Sequence, residues 1–96
     1  MTENYDGGIV QGYLGQFQQL GTKAQIGADV SAQLSALVEK AREQIAIWKD
    51  GDPAKNRARL VGQLRMNADL SAQSSPVFAK TLRDAAELLS NDAARG

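Results

Sequence analysis

The feature that most constrains the fold is a run of apolar residues between Val30 and Trp48. Successive apolar positions there are separated by steps of three and four residues, a pattern that repeats every seven residues. Such spacing puts the apolar side chains on one face of an α-helix, as packing against other helices requires. Asp29 or Gly27 can cap the start, and Asp50-Gly51 ends the segment. The stripe comprises Val30, Leu34, Leu37, Val38, Ala41, Ile45 and Trp48.

Three further segments carry apolar stripes at helical spacing. Asp52-Pro53 and Ser75-Pro76 each give a cap followed by a proline at a position whose N–H would have no helical partner. Glycines bracket a predicted connector at 21–27. The predicted helices cover residues 8–20, 29–50, 53–73 and 76–91. The sequence therefore predicts an all-α fold, a small bundle of about four helices with up-down connectivity.

The predicted organisation is one domain with short terminal segments. Residues 1–7 are polar and end in two glycines, so we expect a flexible leader there. Residues 8–91 form the helical domain, and we expect 92–96 to fray. Because 15 of the hydrophobic residues are alanine, the core is thin for a chain of 96 residues. Association with another chain would let it bury more apolar surface.

Missing residue types narrow the chemistry. The chain has no histidine and no cysteine, so it lacks a thiolate nucleophile, a Ser-His-Asp triad and the usual zinc ligands. We expect a protein that is not an enzyme and holds no metal and no cofactor. The acidic start and the lack of a long apolar run favour a cytoplasmic protein with no membrane contact. Export by a route without a signal peptide stays open.

Charge is unevenly distributed although 11 basic and 11 acidic residues balance. Residues 54–66 hold four basic residues and no acid, namely Lys55, Arg57, Arg59 and Arg65. A helix places Lys55 and Arg59 on one side and Arg57 nearly opposite, which is a poor stripe for nucleic acid. We expect these residues to pair with acids of other helices, such as Glu39, Glu43, Asp84 and Glu87. A nucleic-acid-associated regulator is the alternative.

Candidate contact residues come from the first helix and from the single tryptophan. Tyr13, Phe17 and Leu20 share a face that either completes the core or docks on a protein partner or a second copy. Trp48 either covers the end of the core or anchors a partner, since tryptophan is enriched at binding hot spots. We predict a non-enzymatic interaction module, an adaptor, regulatory or assembly subunit that uses these four residues. No small-molecule substrate is indicated.

The segment Trp48–Gly51 reads Trp-Lys-Asp-Gly and lies near the midpoint of the chain, at a predicted corner between two helices. With 96 residues and no cysteine, the chain resembles the WXG100 family of small secreted proteins. The resemblance covers residues 28–90 and implies one long two-helix hairpin that acts as a secreted effector. The family's motif is Trp-x-Gly, one residue shorter than here, and internal glycines and Ser75-Pro76 interrupt both arms. Such an effector is the third candidate function.

Overall fold

The computed structural model describes the backbone of residues 3–47 and 52–95, and the side chains of residues 8–47 and 52–90. This part of the chain forms four α-helices and contains no strand. They are α1 (Glu3–Gln25), α2 (Ser31–Ile47), α3 (Pro53–Ser71) and α4 (Pro76–Arg95). The predicted all-α bundle of four helices is therefore confirmed. None of the helices described is long and apolar enough to cross a membrane.

α1 is longer at both ends than the predicted helix over 8–20. It begins at Glu3, within the segment expected to be a flexible leader, and runs through most of the expected connector to Gln25. Gly21 does not end the helix. Glycine instead allows a close approach to Phe78 at this position, since a Cβ there would lie 2.7 Å from Cδ2 of Phe78. The chain turns only at Gly27, whose φ of 105° suits glycine. α4 likewise continues to Arg95, past the predicted end at residue 91.

Two predicted helix starts have the expected caps. The Asp52 carboxylate accepts hydrogen bonds from the backbone N–H groups of Ala54 and Lys55, at 2.9 and 3.3 Å, and Pro53 begins α3. The Asp29 carboxylate accepts from both the backbone N–H and the hydroxyl of Ser31, at 3.1 and 2.7 Å. Asp52 is the N-cap of α3, whereas Asp29 lies two residues before α2 and bonds only its first residue, Ser31.

The start of α4 is capped by another helix. The side-chain oxygen Oε1 of Gln25, the last residue of α1, accepts hydrogen bonds from the N–H groups of Val77 and Phe78, both at 3.0 Å. The pair Ser75-Pro76 predicted the start of α4 correctly but did not indicate that Gln25 would cap it. The contact ties the end of α1 to the start of α4, one turn beyond the close approach of Gly21 to Phe78.

The core lies where α1, α3 and α4 meet. α3 and α4 share the most extensive contact, followed by α1 and α4, while α2 contacts each of the other three over a shorter length. The bulkiest fully buried side chains in the three-helix centre are Phe17, Leu60, Leu64, Leu82 and Leu89. α2 adds a single stripe, Leu34, Val38, Ala41 and Ile45, at the spacing that the sequence predicted.

The fold implied by the resemblance to the WXG100 family is wrong for this chain. A single two-helix hairpin needs two long uninterrupted arms, whereas the chain leaves helical structure between Gln25 and Ser31 and again between Ser71 and Pro76. The glycine at position 27 and the serine-proline pair before α4 produce these turns. The result is two short helix pairs in place of two continuous arms.

Candidate protein-docking groove

The contact residues predicted on α1 belong to the core. Tyr13, Phe17 and Leu20 are only 8%, 0% and 9% exposed, so the expectation that they form a docking face is corrected. They are bulky apolar residues, and a thin core needs them. Burial also raises the pKa of the Tyr13 phenol. Trp48, the fourth predicted contact residue, lies outside the described residues.

The exposed face of α1 is rich in glycine and has no charge. A Cβ added at Gly8, Gly12 or Gly15 would meet no other atom within 4 Å, so the bundle itself does not require glycine at these positions. From Gly8 to Thr22 the helix carries no Asp, Glu, Lys or Arg. The side chain of Gln18 donates a hydrogen bond to Oδ1 of Asn67 on α3, at 3.1 Å, so this face adjoins α3.

The basic residues of α3 do not make the ion pairs that we expected. Within the described side chains, none of Lys55, Arg57, Arg59 and Arg65 forms an ion pair with an acid of α2 or α4. Two of the four acids proposed as partners pair within their own helices instead. Glu39 pairs with Arg42 at 2.8 Å, and Asp84 pairs with Lys80 at 2.9 Å. The hydrogen bond from Lys80 to Asp84 raises the pKa of that lysine.

Two of the four basic residues lie together at a groove between α3 and α4. This groove has a volume of about 530 Å³, and both Arg57 and Arg65 line it. Lys55 and Arg59 are exposed and do not line it, as their position on the helix predicts. The lining residues are Ala54, Arg57, Ala58, Val61, Gly62, Arg65 and Ser90. The lining is thus mostly small and apolar, and its two charged residues are the arginines.

A smaller depression adjoins the groove, since Arg65 lines both. Its other lining residues are Asp69, Arg83 and Glu87, and its volume is about 260 Å³. Arg83 and Asp69 form an ion pair at 2.9 Å that links α4 to α3. The charges around this depression balance, with two basic and two acidic side chains. Arg65 therefore has acidic neighbours in the adjoining depression, whereas none of the residues that line the groove with Arg57 is acidic.

Large apolar side chains also remain exposed, which the thin core made unexpected. On α3, Met66 and Leu70 are 56% and 78% exposed and lie one turn apart. The other large apolar side chains that are exposed in the described part of the chain are Ile26, Ile47, Val77 and Leu88. Sequence reasoning missed Met66 and Leu70 because it followed only the stripe that packs inward. The signal available was their i,i+4 spacing on the side of α3 away from Val61.

The small residues of the groove were also visible in the sequence. Ala54, Ala58 and Gly62 are four residues apart, which aligns them along one side of α3. The helical spacing predicts Ala54 and Ala58 on the inward apolar face of this helix, whereas both are exposed at the groove. No group of three His, Cys, Asp or Glu side chains that could hold a metal ion occurs among the described residues.

No family model, curated protein or solved structure matches this chain.

Proposed function

We propose that this chain is a non-enzymatic protein-interaction module, a small preformed helical bundle that acts as an adaptor, regulatory or assembly subunit. The observation that carries the proposal is the exposure of Met66 and Leu70 on α3. A chain with so few large apolar residues leaves these two in water, although its core could use them. The cytoplasmic location expected from the sequence is part of the same proposal.

The surroundings of these residues suit contact with another protein. Met66 and Leu70 flank Asn67, which accepts a hydrogen bond from Gln18 of α1. Their patch therefore adjoins the uncharged face of that helix. Fully burying one such side chain contributes about 1.5–3 kcal/mol. A partner that covers both, together with part of an uncharged helix face, desolvates few charges in return.

The test uses the double variant Met66→Gln, Leu70→Gln and a matched control, Ile47→Gln. Ile47 is also a well-exposed apolar residue, but it lies at the end of α2 that leads into the start of α3. The tagged chain is used to recover a partner from its own cells, and the dissociation constant is then measured between the two purified proteins. Sedimentation of the chain alone tests a second copy as the partner.

We expect the double variant to weaken association at least about tenfold, because two buried side chains are replaced by polar ones. The Ile47 control should change it by less than about twofold. A double variant that binds as well as the unmodified chain would contradict the proposal. So would a purified chain that binds neither a partner nor itself.

The nucleic-acid alternative has less support than protein binding. A surface that follows a phosphate backbone needs several cations on one face. Here Lys55 and Arg59 lie away from the groove that holds Arg57 and Arg65. The net charge of zero also gives no overall attraction for a polyanion.

A further inference from the structure

We propose that the groove between α3 and α4 binds an acidic helix of a partner protein. This inference rests on the proposed function and gives it a specific site. Ala54, Ala58 and Gly62 present almost no side-chain bulk on three successive turns of α3, so the backbone of a second helix can come close. At about 530 Å³, the groove is large enough to take the side chains of such a helix.

The charge of the groove selects the partner. Arg57 and Arg65 are eight residues apart on α3, which corresponds to about 12 Å along the helix axis. A guanidinium binds a carboxylate through two parallel hydrogen bonds. A partner helix that lies along the groove would therefore present carboxylates about seven or eight residues apart on one face. Arg57 is half-buried, and Arg65 is exposed.

The two arginines should not contribute equally. Arg65 and Glu87 line the same adjoining depression, so the Glu87 carboxylate competes with a partner's carboxylate for the Arg65 guanidinium. None of the residues that line the main groove is acidic, so Arg57 faces no described carboxylate there. We therefore expect Arg57 to be the stronger determinant of binding.

An apolar floor between two cations distinguishes a helix from the other ligands of arginine. A nucleic acid would use the basic residues that lie outside the groove, and a small inorganic anion would gain nothing from Val61 and the alanines. An amphipathic acidic helix uses both parts, since its apolar side chains cover the floor while its carboxylates reach the ends.

The probe is a synthetic helical peptide with two glutamates eight residues apart on a face of alanine and leucine. The control peptide has glutamine at both positions. Binding is followed by NMR on the isotope-labelled chain, which reports affinity and location together. We expect the acidic peptide to shift the amide signals of residues 54–65 and of Ser90, and the control peptide to bind at least about tenfold more weakly.

Two double variants of the chain separate the groove from general charge. Arg57→Glu with Arg65→Glu should weaken binding of the acidic peptide at least about tenfold, and Arg57→Glu should account for most of the loss. Lys55→Glu with Arg59→Glu makes the same change in net charge on another side of α3, and should weaken binding less than about threefold. Circular dichroism checks that both variants keep their helices.

Four results would overturn the inference: no binding of the acidic peptide, equal losses in the two double variants, shifts centred on Met66 and Leu70, or tighter binding of a double-stranded oligonucleotide. The native partner distinguishes this inference from the proposed function. If Met66→Gln with Leu70→Gln abolishes the native complex while Arg57→Glu with Arg65→Glu leaves it intact, the interaction module stands and the groove is excluded.

Discussion

α2 is attached to the bundle differently from the other three helices. α1, α3 and α4 share the more extensive contacts, and the close approach of Gly21 to Phe78 and the Gln25 cap join α1 to α4. α2 adds one apolar stripe, and a groove runs along each of its two flanks. The groove toward α1 has a volume of about 250 Å³, and the one toward α4 has about 120 Å³.

The difference shows that a regular stripe and a well-held helix are separate properties. The apolar spacing in α2 is regular, yet α2 makes the least extensive contacts of the four described helices. α1 contains several glycines, yet its last residue is hydrogen-bonded to the start of α4. Periodicity tells which face turns inward, whereas stability follows from what that face meets.

The largest effect should come from cavities made on the two sides of this comparison. Leu82 is fully buried among α1, α3 and α4, and Leu34 is the first leucine of the α2 stripe. Leu82→Ala should lower the free energy of unfolding by about 3–5 kcal/mol, and Leu34→Ala by about 2 kcal/mol, because the loosely held helix can relax around the gap. Urea unfolding measures both, and equal losses would contradict the comparison.

Gly21→Ala should be the next largest change. Its Cβ would lie 2.7 Å from Cδ2 and 3.3 Å from Cγ of Phe78, and Cγ is too close to the backbone to swing away. We expect a loss of about 1–3 kcal/mol from this overpacking. Gly12→Ala is the matched control on the same helix, where open space should turn the substitution into a gain of about 0.5–1 kcal/mol. Thermal unfolding of both variants gives the sign directly.

Hydrogen exchange tests the comparison without any substitution. If α2 detaches before the rest of the bundle opens, the amides near its centre, such as that of Ala41, should exchange at least about tenfold faster than those near Leu64 and Leu82. Exchange is followed by NMR or mass spectrometry under native conditions. Uniform protection across the four helices would mean that the bundle opens as one unit.

The Gln25 cap should account for a smaller share of the stability. Gln25→Ala removes the acceptor of the N–H groups of Val77 and Phe78 and should cost about 1 kcal/mol. Gln11→Ala replaces an exposed glutamine of the same helix and should raise the free energy of unfolding by roughly a few tenths of a kcal/mol, because alanine has the higher helix propensity. If the two variants unfold alike in urea, the cap contributes nothing beyond propensity.

Sequence reasoning predicted the number of helices and the inward face of α2. It failed at Gly21, where glycine serves a contact with a residue 57 positions later, and at Gln25, which caps a helix distant in the sequence. Both errors have one cause: local patterns give the inward face of an element but not its neighbour. The same limit applies to the groove, since Ala54, Ala58 and Gly62 acquire a role only when α4 lies beside them.

The smallest expected effect is a dependence of stability on pH, which arises from Asp29 just before α2. The side-chain and backbone hydrogen bonds from Ser31 hold the pKa of the Asp29 carboxyl below its ordinary value of 3.8. Because the folded-state pKa is the lower one, Asp29 stabilises the fold above the unfolded-state value, and this contribution disappears as the pH falls through the folded-state pKa.

Asp29→Asn should therefore be less stable than the unmodified chain at neutral pH, and the difference should shrink once the pH falls below about 3.8. Ser31→Ala is the control, because it removes the side-chain hydrogen bond, the larger cause of the shift, and keeps the carboxylate. Its pH dependence should lie between the other two. Since Asp29 precedes the loosely held helix, the amides of α2 should show this difference more clearly than global unfolding does. An unchanged difference across the acid range would mean that the Asp29 cap does not control how α2 is attached.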